Sequence, residues 1–144
     1  MVRLQDERLT KAALYLQNAL LLQDAFYGKA APLSTIDFNV VALIVLELWK
    51  TCAAIMGDPS VKKDRYQKRY KTIGIQKETK DAVDRLGRLR NDFDVAHYSL
   101  ASEKRSSLEQ ELRFAFRTAG SVIREYVDHL EDYKQAAVGE AEST

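Results

Sequence analysis

From Leu108 to Tyr133, apolar side chains recur at spacings of four and three: Leu108, Leu112, Ala115, Ala119, Val122, Tyr126, Leu130 and Tyr133. A stripe that keeps the 3.6-residue period for about seven turns specifies a long amphipathic helix. Ser106-Ser107-Leu108-Glu109 before it has the pattern of a capping box. Such a helix must bury its stripe against partners, and the rest of the chain offers helices for that purpose. With 2 Pro and 6 Gly in 144 residues, and few β-branched runs of period two, nothing competes for a sheet.

Three further helical regions precede it. Leu9, Ala13, Leu16 and Leu20 trace a helix over Leu9 to Tyr27, ended by Gly28 and Lys29. After a loop carrying Pro32, Ser34 or Thr35 can cap a second helix over Thr35 to Met56, with Asp37 in its first turn. Val40 to Leu46 is apolar nearly all round, which predicts the most buried element; Gly57, Asp58 and Pro59 end it. The third region begins near Ser60 and can reach Tyr98. Thr72-Ile73-Gly74-Ile75 is its weakest stretch and predicts a kink or break, and Gly87 is a second weak point. The expected fold is all-α: an up-and-down bundle of four long helices, or five if the third divides near Ile73-Gly74. One domain over residues 1–134 is expected, with 135–144 as a flexible tail.

Several function classes are disfavoured. Seven apolar residues, Val40 to Leu46, are too few to span a bilayer, so no membrane association is expected. Met1 to Glu7 lacks the apolar core of a secretion signal. The single cysteine, Cys52, lies in an apolar segment and reads as a small buried hydrophobe of a cytoplasmic protein. There is no glycine-rich phosphate loop, dinucleotide fingerprint or Ser-His-Asp pattern, and no cofactor is expected. His129 beside Asp128, Glu131 and Asp132 is not a metal-ligand spacing, so no metal site is expected either.

Charge is unevenly spread along a near-neutral chain. Residues 62–90 hold eleven of the 22 Lys/Arg against four acids, about +7, while the last forty-odd residues lean acidic. A polyanion-facing surface, with RNA foremost, fits that asymmetry; Lys62, Lys63, Arg65, Lys68, Arg69 and Lys71 are the expected backbone contacts. A solvated helix face fits it too. Tyr66 and Tyr70 among them can stack on bases, though at i and i+4 they equally suit core packing.

The chemistry concentrates in Arg90-Asn91-Asp92-Phe93-Asp94-Val95-Ala96-His97-Tyr98. In a helix, Arg90 and His97 at i and i+7 return to one face, with Asp94 between them. His97 titrates near neutrality and can transfer a proton; Asp94 can orient its ring; Arg90 offers a planar fork to phosphate oxygens. RNA carries its own nucleophile, the 2′-hydroxyl, so a proton-transfer group and an anion clamp suffice without a metal. Asn91 can donate to a phosphate or ribose, and Tyr98 is a further polar candidate. The plain alternative is an ion-pair ladder on a helix surface.

Arg90-Asn91, then five residues, then His97-Tyr98, resembles the mark of the HEPN superfamily (higher eukaryotes and prokaryotes nucleotide-binding domains). That mark is an arginine, usually a polar residue after it, and a histidine separated from the arginine by four to six residues. Arg90, Asn91 and His97 occupy those positions, with six residues between Arg90 and His97. The resemblance implies a helical bundle acting as a metal-independent endoribonuclease and as a homodimer, two copies of the motif meeting in a cleft. It further implies the toxin of a toxin–antitoxin or abortive-infection system, restrained by an antitoxin or other regulatory protein. Arg90 and His97 would then be catalytic, with Asn91, Asp94 and Tyr98 in support. Some members of the superfamily are inactive and only bind RNA, nucleotide or a protein partner, which is the alternative function. Members paired with a nucleotidyltransferase antitoxin carry a tyrosine two residues after the histidine. Here Ser99 stands in that position, so their regulation does not carry over.

Overall fold

A computed structural model describes residues 6–27, 35–57, 69–94 and 105–142. Its long helices are α1 (Glu7–Tyr27), α2 (Thr35–Met56), α3 (Lys77–Asp94) and α4 (Arg105–Glu142), with a helical turn at 69–72 ahead of α3. Among the described residues there is no strand. Cross-helix pairs fix the directions. Asn18 meets Glu47 and Tyr15 meets Lys50 between α1 and α2, Arg85 meets Glu111 and Thr79 meets Glu125 between α3 and α4, and Asp6 meets Tyr126 while Gln23 shares a groove with Glu109 and Leu112 between α1 and α4. Each of these pairings is antiparallel, giving the expected up-and-down bundle. The end of α3 and the start of α4 therefore share one end of the molecule with the end of α1 and the start of α2.

α2 packs against all three other helices, while α1 and α3 stand apart on either side of it. Val41, Ile44, Val45, Leu48, Cys52 and Ile55 are fully buried along its length. Burial is not all round, however, for Leu43 is 49% exposed. The α4 stripe is buried from Leu112 through Ala115, Ala119 and Val122 to Tyr126. It then leaves the bundle: Leu130 is only partly covered and Tyr133 is 72% exposed. The reason is length, since α1 begins opposite Tyr126 and α3 opposite Glu125. Where a flexible tail was expected from Gln135, α4 continues as helix to Glu142, with residues 135–139 exposed.

Local signals place the helix ends. Asp6 caps α1, its Oδ1 accepting from Arg8 N (2.9 Å) and Leu9 N (3.3 Å), so the helix starts two residues before Leu9. Gly57, at φ +89°, closes α2 through its N–H to the Ala53 carbonyl (2.8 Å), a left-handed cap. The anticipated interruption near Ile73-Gly74 is a complete break. Ile75 N donates to Tyr70 O (2.9 Å) and Gly74 N to Lys71 O (3.3 Å), which is a Schellman closure around Gly74 at φ +79°. Gln76 then opens α3, its carbonyl accepting from Lys80 N (3.0 Å). Glu125 of α4 completes that start, accepting from Gln76 N (2.8 Å) and the Thr79 hydroxyl (2.6 Å). No helix among the described residues is long and apolar enough to cross a membrane.

Candidate functional site

The last two turns of α3 carry the described part of the motif. Leu86 and Leu89 are buried, so Arg90 flanks the core stripe instead of facing open solvent. Its guanidinium lies over the Trp49 ring of α2, 4.3 Å from the centroid. Gly87 makes room for this: a Cβ there would sit 3.3 Å from Trp49 Nε1. The glycine that weakened the helix in the sequence thus admits the indole between α2 and α3, and the indole supports the arginine. Such stacking contributes about 0.5–2 kcal/mol, depending on desolvation. A guanidinium held by its face keeps its edge nitrogens in fixed directions, which is how a preorganised anion donor is built.

Asn91 faces elsewhere. It is exposed and lines a groove of about 410 Å3 between α3 and α4 with Arg85, Arg88, Leu89 and Glu111. Arg85 is engaged there, its Nη2 at 3.2 Å from Glu111 Oε1, with its guanidinium 4.1 Å from the Phe114 ring centroid. Arg88 is exposed one turn before Asn91. Arg90 and Asn91 are therefore brought to adjacent faces of α3, not into one pocket. Asp94 is the last residue of α3 and its side chain is outside the described set. His97 and Tyr98 lie outside the described residues, as do Lys62, Lys63, Arg65 and Lys68.

The basic window is partly consumed by the fold. Arg69 is half-buried, its Nη1 3.4 Å from where a Cβ on Gly57 would be, so it sits at the C-terminal end of α2 where a cation is favoured. Lys71 is exposed. Tyr70 is buried, with the ammonium groups of Lys71 and Lys80 5.9 and 6.0 Å from its ring centroid, so it is a core residue and not a stacking platform. Lys80 is also buried and bridges to Asp84 at 2.7 Å. Counted with Arg85 and Arg90, a good share of the positive charge of 69–90 is structural.

Four further titratable groups have structural places. His129 packs beneath Gly74, where a Cβ would lie 2.5 Å from the His129 Cβ. Cys52 is fully buried, and desolvation pushes its thiol up to about 12, which leaves it unreactive. Burial by itself would raise the Asp6 carboxyl. The hydrogen bonds from Tyr126, Leu9 N and Arg8 N, with the Arg8 charge, outweigh it and hold the group below the usual carboxylate range. Burial and the Asp6 carboxylate push the Tyr126 hydroxyl above the usual phenol value. Among the described residues, no group of three or more His, Cys, Asp or Glu is placed to hold a metal ion.

Sequence reasoning missed Trp49 and Arg88. Arg88 was legible as one turn from Asn91, whereas the meeting of Trp49 with Arg90 is a tertiary contact between positions 41 apart that leaves no local trace. Compared with protein-family models, curated proteins and solved structures, the chain matches none.

Proposed function

We propose that the chain is a HEPN-like, metal-independent endoribonuclease. The observation that carries this reading is the placement of Arg90, fixed over Trp49 within two turns of the end of α3 and seven residues before His97. A solvated ion-pair ladder would have no use for an indole platform or for the glycine that admits it. In the proposed reaction His97 takes the proton of a ribose 2′-hydroxyl as its oxygen bonds to the adjacent phosphorus. The bond from phosphorus to the 5′-oxygen breaks, that oxygen takes a proton from solvent water on leaving, His97 returns its proton to solvent, and a 2′,3′-cyclic phosphate remains. Arg90 holds the charge that gathers on the non-bridging oxygens, Asp94 orients His97, and Asn91 and Tyr98 assist at the phosphate or ribose.

The same reading makes the protein a cytoplasmic homodimer that needs no cofactor, with an antitoxin or other regulatory protein as its restraint. Leu14, Leu21 and Leu43, exposed on α1 and α2, offer an apolar surface that suits a second copy. The test is the pH dependence of RNA cleavage by the parent and by Arg90→Ala, Arg90→Lys and His97→Ala, each shown folded by circular dichroism. Arg90→Ala should lower kcat about 10²–10³-fold with little change in the profile, and His97→Ala should abolish the limb near neutrality. Unchanged cleavage by either alanine variant refutes the assignment.

The stacking of Arg90 on Trp49 also favours a second reading, an inactive helical module that binds RNA, nucleotide or a protein partner, in which Arg90 serves packing alone. Binding of RNA without products, with Arg90→Ala losing stability and nothing else, selects that reading.

A further inference from the structure

The outward face of α4 presents Arg113, Arg117, Gly120 and Arg124 at i, i+4, i+7 and i+11, all exposed. They form one straight stripe, roughly 16 Å long at 1.5 Å per residue. Arg124 is steadied by Ser121, its Nη2 3.3 Å from the hydroxyl oxygen. Among the described residues, neither Arg113 nor Arg117 has an acidic group within salt-bridge distance. Both arginines also line a groove of about 740 Å3 between α1 and α4. Leu112 and half-buried Phe116 supply its apolar lining, and Glu109 is its one acidic lining residue among the described residues.

Gly120 is the second, independent observation. A glycine inside a helix costs about 1 kcal/mol relative to alanine. The fold accounts for that cost at two other glycines: Gly74 has a positive φ and His129 against it, and Gly87 has Trp49, whereas Gly139, near the exposed end of α4, has open surroundings like those of Gly120. At Gly120 nothing lies within 4 Å of a Cβ, and the residue is exposed in the middle of the arginine stripe. A bare backbone between cations permits close approach by an extended ligand.

We infer that the α4 stripe and the adjoining groove bind single-stranded RNA, phosphodiesters on Arg113, Arg117 and Arg124, and a base against Phe116. The choice of RNA among polyanions rests on the ribonuclease reading; the surface itself does not. The acidic residues around these arginines in sequence hid the stripe: Glu111 and Glu125 are engaged with α3, and Glu109 alone of the three shares the groove with Arg113 and Arg117. The surface differs from the basic segment before α3, whose described members are partly absorbed by packing.

The experiment is fluorescence anisotropy with a fluorescein-labelled, 2′-O-methyl single-stranded oligoribonucleotide. This probe lacks the nucleophile, so binding is read without cleavage. Each phosphate contact on a single strand contributes about 0.7 to the slope of log affinity against log salt. Arg113→Ala/Arg117→Ala should therefore weaken binding about 25-fold near 0.1 M salt and flatten the slope by about 1.4. Gly120→Glu, into open space, should also weaken it, Phe116→Leu should cost roughly tenfold, and Lys11→Ala on α1 should have no effect. If the parent binds and the α4 variants bind equally well, this surface is wrong while the RNA reading stands. If the parent fails to bind at low salt, both fall. Equal affinity for duplex DNA overturns the single-strand assignment.

Discussion

Replacing Gly74 by alanine should destabilise the protein by about 2–5 kcal/mol. Two separable effects give that figure. An L residue held at φ +79° incurs a penalty of about 1–2 kcal/mol. The new Cβ would also stand 2.5 Å from the His129 Cβ and 2.8 Å from its Cγ. The first of these atoms is fixed to the α4 backbone and cannot swing aside, so α3 and α4 must part locally, which costs about 1–3 kcal/mol. Urea unfolding followed by far-UV circular dichroism reads the result. With m near 1–3 kcal/mol/M, the midpoint should fall by roughly 0.7–5 M at unchanged m. Gly120→Ala is the matched control: same chemistry, open surroundings, and an expected gain of up to about 1 kcal/mol. His129→Ala keeps the offending Cβ and should not rescue Gly74→Ala. A Gly74→Ala protein within about 0.5 kcal/mol of the parent would refute both the left-handed closure and the close approach to α4.

Other consequences follow from named contacts. Glu125→Ala strips the partner from Gln76 N and the Thr79 hydroxyl, and should cost about 1–2 kcal/mol, with amide exchange accelerating first in the opening turn of α3. Tyr126→Phe removes the donor to Asp6 and should cost about 1 kcal/mol at neutral pH. Because the Asp6 carboxyl is depressed, that difference is complete above the usual carboxylate range and disappears as pH falls through its folded value. Because the Tyr126 hydroxyl is raised, the difference is complete below the usual phenol value and disappears as pH rises through its folded one. A difference that stays flat from acid to alkali would contradict the pairing. Cys52 should resist thiol reagents in the native protein and react fully in urea; rapid native labelling would place it outside the core.

Helices in this chain were legible where one face is apolar over many turns, as in Leu112 to Tyr126 of α4 and Val83 to Leu89 of α3. The break at Ile73-Gly74 was legible as well, because a glycine among β-branched residues combines poor helix propensity with the one side chain suited to a left-handed closure. What failed to show was tertiary. Tyr133 continues the period of α4 yet is exposed, since periodicity does not reveal where partner helices stop. Asp6 was overlooked as a cap because it sits among charges ahead of the first apolar residue, and its tie to Tyr126 spans 120 positions. The motif residues were readable by spacing alone. What that spacing could not convey is that Arg90 rests on Trp49 whereas Asn91 faces the α3–α4 groove. Nor did the charge run disclose that Lys80 and Arg85 are bound up in ion pairs while Arg113, Arg117 and Arg124 line an open face.

The most direct test of the central claim is incubation of the purified protein with end-labelled RNA in excess EDTA, beside Arg90→Ala and His97→Ala variants of verified fold. Cleavage by the parent alone, with 2′,3′-cyclic phosphate ends, is the predicted result. Cleavage retained by the variants, or intact RNA with all three proteins, would contradict it.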